Sequence, residues 1–210
     1  MDEFNYIDDF AERYPDLSYL SGCILAAVDK LRECYESGGK ILICGNGGSA
    51  ADAEHISGEL LKGFLSKRPA DDAELERLTA AVGDEAVKLQ RGIPAIPLTS
   101  LTSVLSAFAN DVDAELVFAQ LTYALGKPGD ALICLSTSGN SGNVVAAARV
   151  AREMGITTVA LTGESGGALR EICDITLAVP ESETYKVQEY HLPIYHAICA
   201  ELERILFVSK

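Results

Sequence analysis

The chain has three histidines, and each stands where its ring could do chemistry. His55 and Glu59 are four residues apart, which on a helix puts them about 40° apart on one face. Such a pair can ligate a metal or couple an acid with a base. It can equally be an ordinary surface pair. The other two histidines lie in Gln188-Glu189-Tyr190-His191-Leu192-Pro193-Ile194-Tyr195-His196. Glu189 and His196, seven apart, are nearly in line on an ideal helix, whereas Gln188 is about 80° from His196. Pro193 cannot donate to the carbonyl of Glu189 and is expected to kink the segment. Periodicity leaves open which of Gln188, Glu189 and His191 shares a site with His196.

Three further motifs could hold a ligand. Gly45-Asn46-Gly47-Gly48-Ser49 follows an apolar run and precedes a helical segment. Glycines allow a tight turn and a close backbone approach, Ser49 can cap the helix, and unpaired N–H groups at the helix start favour an anion or sugar oxygens. It is neither a G-x-G-x-x-G motif nor a P-loop. In Ser136-Thr137-Ser138-Gly139-Asn140-Ser141, four of six residues carry hydroxyls. Hydroxyls and backbone N–H groups can bind a phosphate without a cationic side chain. Asn110-Asp111 is first a turn signal and as a site would supply acceptors for sugar hydroxyls.

Five short apolar runs must position these motifs: residues 41–44, 95–99, 131–135, 158–162 and 175–179. Their continuous apolarity predicts strands buried on both faces of a parallel sheet. Pro97 points to an edge or irregular strand. Helices are expected over 18–37, closed by Gly38-Gly39, over 142–154, stopped by Gly155, and over 185–208. The alternation predicts a doubly wound α/β fold, in which ligands collect at the carboxyl ends of the strands. Residues 66–92, from Ser66-Lys67-Arg68-Pro69 to Gln90-Arg91-Gly92, read as a charged, solvent-facing helical insertion.

Composition bounds the function. A chain of 210 residues suits one domain. Apolar residues make up 48% and charged residues 23%, as in a folded globular protein. With 17 basic and 31 acidic residues the formal charge is −14, so bulk attraction to nucleic acid or anionic lipid is excluded. No apolar run approaches a membrane span. Met1-Asp2-Glu3-Phe4-Asn5 lacks the parts of a signal peptide, and a cytoplasmic protein is expected. The six scattered cysteines are read as buried free thiols.

Taken in order, Gly45 through His55, Asn110-Asp111, Ser136 through Ser141, Leu161-Thr162-Gly163 with Gly166-Gly167, and Gln188-Glu189 through His196 resemble the sugar-isomerase (SIS) domain, and within it the bacterial phosphoheptose isomerases. The resemblance spans nearly the whole chain apart from the far N-terminus and roughly residues 70–92. It implies a three-layer sandwich around a five-stranded parallel sheet, with an N-terminal helix and a long C-terminal helix, in a single domain over 1–210. It implies a homotetramer with sites near subunit interfaces. The implied reaction interconverts sedoheptulose 7-phosphate and D-glycero-D-manno-heptose 7-phosphate through an enediol, in nucleotide-activated heptose synthesis.

The resemblance also assigns roles. Asn46, Gly47, Gly48, Asn110 and Asp111 would contact substrate, and Ser136, Thr137, Ser138 and Ser141 would hold the phosphate. His55, Glu59, Gln188 and His196 would bind one Zn2+ per subunit, with Glu59 and His196 also acting as acid and base. It selects Gln188 over Glu189, which spacing did not. The sequence departs from the family's pattern in the length of 66–92, in Lys186 where Arg is usual, and in Ser100 where Asp is expected. An isomerase for another sugar phosphate, or a non-catalytic SIS protein that binds a sugar phosphate or a protein partner, are the competing readings. A metal-ready set of four residues favours an enzyme.

Overall fold

A computed structural model describes residues 5–208; the acidic start at residues 1–4 lies outside it. The five apolar runs form one parallel sheet of β1 (Ile41–Gly45), β2 (Ala95–Pro97), β3 (Ala131–Leu135), β4 (Thr157–Thr162) and β5 (Ile175–Ala178), in the order β2-β1-β3-β4-β5. β1 and β3 are buried at every position. The pleat divides their side chains between two cores. Ile41, Ile43, Ile133 and Leu135 enter one core, and Leu42, Cys44, Leu132 and Cys134 enter the other. This is why these strands read as continuous apolar runs.

The first core is covered by α1 (Tyr6–Arg13), α2 (Ser21–Glu36), α3 (Gly48–Leu61) and α9 (Thr184–Glu203). The second is covered by α6 (Val117–Leu125), α7 (Gly142–Glu153) and α8 (Gly167–Ile172). α3 and α7, which follow the neighbouring strands β1 and β3, therefore lie on opposite faces. Their divergence opens a crevice at the carboxyl ends of these strands, the place where doubly wound sheets bind ligands.

Several boundaries differ from the sequence reading. The second strand ends at Pro97, on the sheet edge, and residues 98–100 turn as a 3-10 helix, since a proline cannot donate to a ladder. A 3-10 segment over 15–20 precedes α2, which starts at Ser21. α9 runs through Pro193 to Glu203 and continues to residue 208 as a π-turn. Within the insertion, α4 (Asp72–Val82) opens on an Asp71–Glu74 capping box and buries no residue. Its base is not solvent-facing: Pro69 bridges Gln90, and Arg68 is 0% exposed. All six cysteines are free, but Cys23 is exposed and Cys173 only partly covered. Among the described residues no helix is long and apolar enough to cross a membrane.

Candidate active site

The register sets the two loops side by side. Cys44 pairs with Cys134 and Gly45 with Leu135, so both strands deliver their following loops to the same level. The loops are stitched across the crevice by a reciprocal amide pair, Asn46 Nδ2 to Asn143 Oδ1 at 2.9 Å and Asn143 Nδ2 to Asn46 Oδ1 at 3.0 Å. Asn143, inside the first turn of α7, is a participant that no sequence signal marked.

The Gly loop turns into α3 through Gly47, whose φ of 56° lies in the region that favours glycine. Gly47 is itself the N-cap residue, so Ser49 does not cap this helix as expected; it is buried in the first turn. A Cβ on Gly48 would come within 2.6 Å of the Gln188 carboxamide, which lies over the loop. Gln188 thus faces the site while Glu189 is exposed to solvent. His191 turns inward instead: it is 0% exposed, and burial lowers its pKa to about 4. Of the three candidates that share the helix with His196, Gln188 is the one set against the Gly loop.

The second loop is held by hydroxyls and by its own glycine. Ser136 Oγ and Ser141 Oγ are 2.9 Å apart, and Ser138 Oγ accepts from the Asn140 backbone N–H at 3.1 Å. Ser141 is the N-cap residue of α7 but makes no side-chain capping bond, so the helix start keeps free donors. Gly139 has φ of 68°, and a Cβ there would lie 2.0 Å from the Gly166 carbonyl. The loop is buttressed by the Gly163 N–H donating to the Thr137 carbonyl at 2.9 Å and by the Leu169 N–H donating to the Gly139 carbonyl at 3.1 Å. The loop bears no basic side chain, and the Glu115 carboxylate lies against Gly142.

α3 and α9 bring the titratable groups together. His55 Nε2 is 3.2 Å from Glu59 Oε1 and 3.5 Å from His196 Nε2. The rings of His55 and His196 meet edge to face, with centroids 5.0 Å apart. Burial, then the neighbouring His55, lowers the pKa of His196, which favours its neutral ring. The second oxygen of Glu59 meets Lys62 Nζ at 3.0 Å. These contacts are pairwise: among the described residues no three His, Cys, Asp or Glu side chains are gathered as a cation site on their own. The fourth candidate donor, Gln188, is a carboxamide.

The end of α3 is fixed from beneath. Arg68 donates to the carbonyls of Leu60 at 2.7 Å and Glu59 at 3.1 Å. Its Nε donates to Glu203 Oε1 at 2.7 Å, and Glu203 also accepts the backbone N–H groups of Phe64, Leu65 and Ser66 at 2.7–2.8 Å. Burial alone would raise the Glu203 pKa; the three N–H groups and Arg68 outweigh it and bring it below the ordinary value.

Asn110 and Asp111 sit on an exposed π-turn over 109–113, where Asn110 Nδ2 donates to Asp111 Oδ1 at 2.7 Å. They make no recorded side-chain bond to the two loops. Beside them Val104, Phe108 and Val112 line an open apolar groove. Ser100 bonds Glu54 on α3 at 2.9 Å, and Lys186 pairs with Glu183 at 2.7 Å, both near the surface.

A doubly wound sheet with a hydroxyl-rich loop at its switch point defines a protein that handles phosphorylated sugars in the manner of a SIS domain. The sequence matches the SIS domain over residues 5–91 and 90–163. A phosphoheptose isomerase of Roseiflexus sp. (strain RS-1) is 43% identical over 184 residues, covering 88% of this chain and 82% of that one. The structure of a phosphoheptose isomerase from Neisseria gonorrhoeae superposes with a TM-score of 0.74 at 33% identity, over 93% of this chain and 95% of that one. One from Francisella tularensis gives 0.74 at 30% identity, over 95% of each. The chain belongs to the SIS domain family and, within it, to the phosphoheptose isomerases.

Proposed function

We propose that this chain is an aldose–ketose isomerase that interconverts sedoheptulose 7-phosphate and D-glycero-D-manno-heptose 7-phosphate, a step toward a nucleotide-activated heptose. The observation that carries this reading is the pairing of His55 with Glu59 and with His196 where α3, which the Gly loop opens, packs on α9, which also sets Gln188 against Gly48. Members of the same family act on this substrate class. In this reading the phosphate lies on Ser136, Thr137, Ser138 and Ser141, at the open N-terminus of α7. Asn46, Gly47 and Gly48 line the sugar on the other side of the crevice.

Isomerisation needs a proton taken from the carbon beside a carbonyl and returned to its neighbour. Glu59 has a carboxylate for that transfer, and the imidazole of His196 moves protons between the two oxygens of the enediol. One oxygen of Glu59 meets His55 and the other Lys62. Lys62 would have to release its oxygen for Glu59 to take a proton there while the other stays beside His55.

His55, Glu59, Gln188 and His196 fit zinc in donor type. Of these, His55 stands 3.2 Å from Glu59 and 3.5 Å from His196, and Gln188 lies against Gly48. When bound, zinc supplies Lewis-acid stabilisation of the negative charge on the enediolate oxygen. A homotetramer is the assembly proposed. The exposed apolar groove beside Asn110 and Asp111 is a face that a second copy would cover. Free thiols accord with a cytoplasmic setting.

An isomerase assay on sedoheptulose 7-phosphate beside pentulose and hexulose phosphates tests the reading. Preferred turnover of the heptulose phosphate is expected, together with its loss in Glu59→Gln at unchanged folding. Preference for a shorter sugar would favour the competing isomerase, and wild-type turnover in Glu59→Gln would remove the proposed base.

A further inference from the structure

Asp52, Tyr195 and His55 form a hydrogen-bonded chain behind the site that no motif included. Tyr195, 2% exposed on α9, donates its hydroxyl proton to Asp52 Oδ1 at 3.2 Å. The Tyr195 hydroxyl oxygen lies 3.0 Å from His55 Nδ1. We propose that Asp52 and Tyr195 are positioning residues that hold His55 as its Nδ1–H tautomer, with the Nε2 lone pair presented to Glu59 and His196.

The direction follows from counting protons. A tyrosine hydroxyl has one proton, and a carboxylate has none to return. Burial, then the charge of Asp52, pushes the Tyr195 pKa up, so the hydroxyl keeps its proton. Bonds to an ionised acceptor are the stronger ones, so that proton goes to Asp52. The 3.0 Å contact is then a hydrogen bond only if His55 Nδ1–H is the donor. Asp52 Oδ2 is buried with no partner, so the hydrogen bond to Tyr195 is the one this carboxylate makes. Tyr195 and His55 rings meet at 74°, edge to face, with centroids 5.5 Å apart.

With the proton on Nδ1, the Nε2 lone pair points at a carboxylate oxygen 3.2 Å away and at a second imidazole nitrogen 3.5 Å away. Facing acceptors repel unless a proton or a cation lies between them. The chain thus sets a lone pair of His55 against the Glu59 carboxylate, a place that favours a proton or a cation. Partners of this kind set the tautomer and basicity of a metal-ligating histidine. The consequence for metal holding rests on the zinc reading above; the tautomer does not.

The histidine rings report this directly. Long-range 1H–15N correlation spectra of the full, uniformly labelled chain, stripped with EDTA and held at about pH 8 so that imidazoles are neutral, contain three histidines, with buried His191 as the internal control. Wild type should show His55 as Nδ1–H. In Asp52→Ala the tyrosine proton has no carboxylate to go to and turns to Nδ1, so His55 should switch to Nε2–H. In Tyr195→Phe the preference should be lost. Wild-type His55 as Nε2–H, or a tautomer unchanged in Asp52→Ala, overturns the proposal. If Tyr195→Phe does not fold, Asp52→Ala decides alone, because Asp52 sits on α3 and alanine suits a helix. Zinc affinity by chelator competition should fall about 10–100-fold in the switched variant. A switched tautomer with unchanged zinc affinity would sustain the proposal and sink the zinc reading of the site.

Discussion

Replacing Glu203 by Gln tests the clamp beneath the end of α3. Oε1 of Glu203 accepts from Phe64 N–H and Arg68 Nε, and Oε2 accepts from Leu65 and Ser66 N–H. A carboxamide keeps one acceptor and turns the other into a donor that faces two donors. The guanidinium of Arg68, 0% exposed, loses its counter-charge. Breaking a buried pair by removing one partner costs about 3–5 kcal/mol. For a chain of this size each kcal/mol moves Tm by about 2–4 °C, so a fall of about 6–20 °C is expected. Urea titration and a thermal scan measure it. The double variant Arg68→Met with Glu203→Leu should not recover wild-type stability. It removes the charge problem but leaves three backbone N–H groups without their acceptor, each costing about 1–3 kcal/mol. The pH dependence has a definite sign. The folded pKa of Glu203 is depressed, so its contribution is present above the unfolded carboxylate value of about 4.3 and is lost as pH falls through the folded value. The urea midpoint of wild type should therefore fall more steeply below that pH than the midpoint of Glu203→Gln. A loss under about 1 kcal/mol, the range of an exposed pair, or full recovery in the double variant would refute the clamp.

Two more outcomes follow from the loops. Ser138→Ala combined with Ser141→Ala should raise KM for the phosphorylated sugar at least about tenfold, since each hydrogen bond to a charged group contributes about 1.5–3 kcal/mol; an unchanged KM in steady-state kinetics would remove this loop from the phosphate site. Gly139→Ala should destabilise by about 1–3 kcal/mol, because φ is 68° and the new Cβ would lie 2.0 Å from a carbonyl oxygen. Gly58→Ala, on α3 with nothing within 4 Å of its Cβ, should instead stabilise by about 0.5–1 kcal/mol. Chemical denaturation compares the two, and equal effects would refute the close packing of Gly139 on Gly166.

The sheet was legible because its strands are buried on both faces, and a run such as Ile41-Leu42-Ile43-Cys44 has no other use in a chain of this composition. The Gly and Ser loops were legible because glycines and hydroxyls cluster after such runs. What was not legible depends on contacts distant in sequence. The hydroxyl of Tyr195 meets Asp52 across 143 residues and Arg68 meets Glu203 across 135, and nothing local marks either pair. Arg68 was read as solvent-facing because its neighbours are charged; burial followed from Glu203, which lies at the far end of the chain. Gln188 and Glu189 could not be separated by helical angle, since an angle about the axis does not say which face the sheet takes. Ser49 failed as a cap because Gly47 already occupies that position in a conformation closed to serine.

The net charge of −14 and a phosphate ligand are reconciled by where the charges lie. The acidic surplus is spread over the surface, on α4 and on the outer faces of α1 and α2 among others, where solvent and salt screen it. The crevice answers an anion differently, with hydroxyls of the second loop and the open N–H groups of α7. These are short-range donors with no formal charge, so in the proposed reading they would hold a phosphate without attracting nucleic acid. The same economy explains the opposite arrangement two helices away. There His55 Nε2 faces a Glu59 oxygen at 3.2 Å and His196 Nε2 at 3.5 Å, and Lys62 meets the other Glu59 oxygen at 3.0 Å. In the proposed reading the hydroxyl loop would take the anionic phosphate and the carboxylate of Glu59 a proton from the reacting end of the sugar, two opposite demands met by separate elements.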